Sequence, residues 1–201
     1  MQCATLIITG ASASQLGFAL SKEQSQYIAS APSYIESTVS YFDAEQRAIV
    51  AAIADAIIPR DETPGAVDAG VPRYIELMVA DWFNDEEQAI FNAGLEDLQT
   101  RVPGEYGEQF VALAKDRQVK ILEQLEDAAA ESSWYEFGNV LRAFVSDAPF
   151  ICQIKELTVW GFFTSEIGST QVLRHDPMPM EFDGDYPLAP DDSTWSGGLT
   201  A

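Results

Sequence analysis

One histidine and two cysteines in 201 residues leave little material for most catalytic or metal chemistry. With a single imidazole, any Ser-His-Asp or Cys-His-Asp triad would need His175 as its base. That residue stands between Arg174 and Asp176 in a Pro-rich stretch, a poor platform for a preorganised site. It reads as a surface or partner-contact residue, and a histidine-rich metal site is excluded. No CxxC or Cys/His cluster occurs, so zinc, iron–sulfur and c-type haem sites in this chain are without support. A G-x-G-x-x-G loop is also missing. Thr9-Gly10-Ala11-Ser12 follows an apolar run like a dinucleotide turn but has neither the glycine order, a βαβ unit nor the downstream acid. The chain is not expected to bind FAD or NAD by itself.

Positive charge is scarce as well. Eleven Lys and Arg stand against 32 Asp and Glu, a formal net charge of −21. Nucleic acid and anionic lipid headgroups are disfavoured as partners, because both demand a basic surface. The excess acid reads either as a solubilising surface or as complementarity to a basic protein or redox carrier. None of these carboxylates forms a recognisable site. Asp183-Gly-Asp185 and Asp191-Asp192 have oxygen ligands for calcium but not the twelve-residue loop with its terminal Glu. No pair is set apart for glycoside hydrolysis. Catalytic and metal-ligating residues are therefore assigned to none.

What is present is apolar material, 47% of the chain, arranged at helical spacing. Asp43 with Gln46 has the capping-box pattern, and Ile49, Ile53 and Ile57 then repeat every four residues until Pro59 stops the run. Pro72 is expected in the first turn of a second helix whose buried face is Ile75, Met78, Val79, Trp82 and Phe83. Asn84 with Glu87 starts a third, through Phe91, Leu95, Leu98 and Val102, and Pro103-Gly104 is expected to interrupt it. A further run carries Phe110, Leu113, Ile121, Leu122 and Leu125, and residues 127–133 are expected to connect it onward. Residues 134–144 and 150–163 read as two more helices with Pro149 between them. No alternating β pattern stands out. The predicted fold is all-α, an irregular bundle of about five or six helices with an extended Pro-rich C-terminal tail.

The expected organisation has four parts: an export-signal remnant at 1–20, a polar tether at 21–42, a helical domain at 43–168 and an extended acidic tail at 169–201. The stretch 4–20, ATLIITGASASQLGFAL, has no charge and is rich in small residues, as a signal peptide would be, but no basic region precedes it. Met1 is accordingly read as an internal Met of a longer leader; the alternative is an ordinary apolar segment packed on the protein. If Cys3 leaves with a leader, Cys152 is the one cysteine remaining. It is then either a buried small hydrophobe or half of an intersubunit disulfide. Trp160, Phe162 and Phe163 surround Gly161 and are either core or anchors for a partner, Gly161 allowing a neighbouring backbone to come close.

Two stretches carry a family likeness. Residues 54–76, ADAIIPRDETPGAVDAGVPRYIE, and 156–179, ELTVWGFFTSEIGSTQVLRHDPMP, together resemble the gluconate 2-dehydrogenase subunit 3 family. Phe110 and Leu113, then Gln118, Ile121, Leu122 and Leu125, look like that family's middle helix. The likeness covers roughly residues 43–187. It implies a small helical accessory subunit, not an enzyme, that accompanies a large FAD-containing flavoprotein of the glucose-methanol-choline type. A c-type cytochrome subunit with haem c often completes such complexes, which oxidise sugars, sugar acids or polyols. The resemblance further implies a periplasmic location, reached by a twin-arginine signal on the small subunit, and a role in maturing, exporting and stabilising the flavoprotein. No twin Arg precedes the apolar segment here, which a start upstream of Met1 would account for. The readings set against this one are a stand-alone acidic helical binding module and a small periplasmic enzyme.

Overall fold

A computed structural model describes residues 40–132, 134, 147–174, 185 and 192–194. The stretch read as an export-signal remnant, almost all of the one read as a tether, the helix expected at 134–144 apart from Trp134, most of the stretch read as a Pro-rich tail and His175 lie outside the described residues. Within them every regular element is helical, apart from an isolated bridge at Arg174.

Helix α1, Ala44–Ile57, opens on the expected capping box. Asp43 Oδ1 accepts from the Gln46 amide at 2.8 Å, and Gln46 Oε1 accepts from the Asp43 amide at 3.0 Å. These bonds satisfy two N–H groups that have no helical partner. Ile49, Val50, Ile53 and Ala54 form its buried stripe, and the regular pattern ends ahead of Pro59. Helix α2, Val71–Asp81, starts behind Gly70 with Pro72 in its first turn. Its end departs from expectation: Trp82 is 72% exposed, because the helix stops at Asp81 and the chain turns there toward Asn84.

Helix α3, Asp85–Tyr106, has the Asn84/Glu87 capping box and three acids in its first turn, where the helix dipole favours them. Pro103 does not interrupt it. The proline lies in the last helical turn, so it forfeits one backbone donor, while Val102 beside it is fully buried and holds the chain in place. The actual stop is Gly107, left-handed at φ 75°, whose amide donates to the Pro103 carbonyl at 3.0 Å. A 3₁₀ turn, Phe110–Ala112, follows, and then helix α4, Lys115–Ala129. The Ala-rich stretch expected as a connection is helical as far as Ala129, in keeping with alanine's propensity. Gln118 ties α4 to the turn by donating Nε2–H to the Phe110 carbonyl at 2.9 Å.

Helix α5, Phe150–Phe163, has the bounds expected from the sequence and is the most enclosed element. It packs against α1, α2, α3 and α4, so apolar residues occur almost all round it. Phe42, Phe91 and Phe150 form a continuous aromatic series through the core, with ring centroids 5.8 and 5.1 Å apart. A π-helical turn, Gly168–Val172, leads to Arg174, which donates to the Thr194 and Ser193 carbonyls and pairs with Asp192 at 2.9 Å.

Candidate partner-binding site

The 59–70 elbow between α1 and α2 is held by its own polar groups. Asp61 Oδ1 accepts from the Thr63 amide at 2.8 Å and hydroxyl at 2.9 Å, which closes a tight turn. The Thr63 backbone and side-chain donors hold the Asp61 carboxyl below its ordinary pKa. Arg60 and Asp68 form a two-pronged ion pair across the loop, and Asp68 also accepts from the Gly65 amide at 2.9 Å. All of these acceptors are used to shape the loop.

Between α2 and the segment that leads into α1 lies a group that sequence reasoning missed. Glu76, on α2, is 2% exposed and accepts hydrogen bonds from five donor atoms on four residues. The amides of Tyr41 and Phe42 donate at 2.8 and 3.0 Å, Arg47 from α1 through Nε and Nη2, and Arg73 through Nη1 at 2.8 Å. Burial pushes the Glu76 pKa up, but the Arg47 hydrogen bonds, the two amides and Arg73 outweigh it and hold the group down at about 2. The carboxylate thus pins the segment before α1 onto α2. The sequence held only a faint signal of it, a Glu between Ile75 and Leu77 with Arg73 one turn earlier.

Residues of the two motif stretches meet where α2 crosses α5. A methyl group built on Gly161 would lie 2.5 Å from Cδ1 of Tyr74, so the ring rests directly on the helix backbone. Gly161 therefore admits a neighbouring side chain, where the sequence suggested a neighbouring backbone. Beside this crossing runs an apolar groove of about 270 Å³. Tyr74 and Met78 of α2 form one wall, and Gln153, Leu157 and Trp160 of α5 the other. Phe83, Trp134 and Ala148 also line it, and Glu87 and Glu156 supply its charge. Burial, with the Glu156 charge nearby, raises the Tyr74 pKa and keeps the phenol neutral. Gln153 is 5% exposed and its Oε1 has no hydrogen-bond partner among the described residues. An unpaired buried acceptor of this kind costs about 1–3 kcal/mol.

The aromatic residues singled out from sequence divide. Trp160 is 57% and Phe163 38% exposed, whereas Phe162 is 2% exposed, a core residue and not a surface contact. Helical geometry places Phe162 one position around the barrel of α5, toward the core. Cys152 is 2% exposed, enclosed on the same helix. The described residues that line the groove include no Ser, Cys, Lys or His, and most of them are apolar or aromatic.

Comparison with curated proteins and with solved structures gives no significant match. A family model described as gluconate 2-dehydrogenase subunit 3 matches residues 44–181, well over half of the chain and both motif stretches. The helical fold agrees with the expectation drawn from that resemblance. The chain belongs to the gluconate 2-dehydrogenase subunit 3 family.

Proposed function

We propose that this chain is the non-catalytic accessory subunit of a periplasmic, FAD-dependent dehydrogenase acting on sugars, sugar acids or polyols. Its role is to mature, export and stabilise a large flavoprotein subunit, in some complexes alongside a cytochrome with haem c. The observation that carries this reading is the family match over 44–181, which takes in both stretches that meet at Tyr74 and Gly161. The electrostatics support placing FAD in the partner. Glu87 and Glu156 at the groove would repel the cofactor's diphosphate, and the chain as a whole carries a formal charge of −21. Export with the loaded partner follows from chemistry: a flavoprotein that folds around FAD in the cytoplasm must cross the membrane folded. A helper that carries the signal then needs a broad, durable interface.

Affinity purification of the tagged chain from its native host tests this. A larger protein with flavin absorbance, identified by mass spectrometry, is expected to coelute, and deleting the accessory gene is expected to leave that flavoprotein unexported and inactive. Recovery of the chain alone from the periplasm, or substrate turnover by the isolated chain, would overturn the reading.

A further inference from the structure

Residues 40–42 lie within the stretch read from sequence as a polar tether, and they make the contacts of a folded element. The Tyr41 and Phe42 amides donate to the same oxygen, Oε1 of Glu76, at 2.8 and 3.0 Å. Arg47 Nη2 donates to that oxygen at 3.0 Å and also to the Ser40 hydroxyl, so one guanidinium holds both the segment and its anchor. Oε2 is taken by Arg47 Nε at 3.2 Å and Arg73 Nη1 at 2.8 Å. Side chains add ties to α3. The Tyr41 hydroxyl accepts from Asn92 Nδ2 at 2.8 Å. Phe42 is buried and stacks on Phe91. An extended segment outside a helix ordinarily frays. Here two consecutive backbone N–H groups bond to a charged acceptor, which holds them more strongly than a neutral one would.

We propose that Glu76 is the buckle of a locked strap, residues 40–42, and that this strap sets the limit to which a protease can trim the chain from its N-terminal side. Cleavage of a folded protein follows the population of the locally opened form. To reach the bonds on either side of Phe42, a protease must lift two amides off Glu76 and strip Phe42 from Phe91. That opening also uncovers a carboxylate that is buried against two guanidiniums. The strap therefore opens as a unit, and processing of the chain before Ser40 stops short of Tyr41. Glu76 acts as a positioning residue for the strap. The inference concerns the boundary of the helical domain and is independent of the accessory-subunit reading.

The test treats the full chain with chymotrypsin, which cuts after aromatic residues, under native conditions and identifies the products by mass spectrometry. The parent is expected to stay uncut at the 41–42 and 42–43 bonds. In Glu76→Gln the side-chain NH₂ must face either the strap's N–H groups or the two guanidiniums. Cleavage at those bonds is therefore expected to rise about tenfold or more. Hydrogen exchange gives a second readout: in Glu76→Gln the Tyr41 and Phe42 amides are expected to exchange about tenfold or more faster, beyond any change in the amides of α5. Gly161→Ala, which disturbs the α2–α5 contact and not the strap, is expected to show no such local acceleration. Should Glu76→Gln fail to fold, Arg47→Lys, which keeps the charge but loses the planar fork, is read in the same way. Cleavage of the folded parent at 41–42 or 42–43 would overturn the proposal. So would strap amides that accelerate no more than those of α5 in a folded Glu76 or Arg47 variant.

Discussion

The ring of Tyr74 lies against the backbone of Gly161, so close that a Cβ at position 161 would sit 2.5 Å from the tyrosine Cδ1. The contact joins α2 to α5 and forms the inner edge of the groove. Gly161→Ala is expected to force the ring or the helix aside and to destabilise the fold by about 1–3 kcal/mol. Urea unfolding followed by circular dichroism measures this. Gly104→Ala is the companion experiment. A Cβ there meets nothing within 4 Å, and the residue is helical, so the change is expected to stabilise by about 0.5–1 kcal/mol.

Glu76 makes stability depend on acid. Its folded-state pKa of about 2 lies below the ordinary 4.5, so its contribution is fully present above pH 4.5 and is lost as pH falls toward 2. The linkage is worth on the order of 3 kcal/mol. Glu76→Gln is expected to lower stability at neutral pH and to flatten the stability profile across that window. A Gln variant as steeply acid-sensitive there as the parent would assign the effect to other carboxylates. Glu76→Ala leaves Arg47 and Arg73 facing a buried gap and is expected to cost more, about 3–5 kcal/mol.

Asp61 and Glu62 are loop residues of the elbow. Asp61 is committed to Thr63, and both side chains are exposed. The double change Asp61→Asn with Glu62→Gln is expected to leave turnover of an assembled complex unchanged, with at most some loss of assembly. A steady-state assay of the copurified complex decides it; a fall in kcat at full assembly would place these acids in the chemistry.

Cys152 is enclosed by the core, so its thiol in the isolated folded chain is expected to resist an aqueous thiol reagent until denaturant is added. Non-reducing electrophoresis of the copurified complex discriminates the two sequence readings. A migration shift abolished by Cys152→Ala would mean that this part of α5 opens to form an intersubunit bridge. Migration at the mass of the single chain is the outcome expected from its burial.

Much of the helical framework was legible because its signals are local. The capping boxes at Asp43/Gln46 and Asn84/Glu87 are complete within four residues, and Pro59 and Pro149 act on their immediate neighbours. The extent of α5 could be read from the largely apolar stretch that begins directly after Pro149 and ends on Phe162 and Phe163. The site was only partly legible. Trp160 and Phe163 were singled out together with Phe162, yet apolar character alone cannot say which of three adjacent aromatics faces the core.

The sequence by itself determined the helical class, most helix starts and the family, because each depends on residues near one another in the chain or on a recognisable stretch. Tertiary structure decided the rest. Pro103 stays helical because Val102 is buried, and Trp82 lies outside because α2 ends just before it. Glu76 is a hub because Tyr41, Phe42 and Arg47, about 30 residues or more away, converge on it. Gly161 matters because Tyr74 comes to rest on it across 87 residues of chain (161 − 74). Such roles are set by which distant groups share a small volume, and no local pattern encodes that.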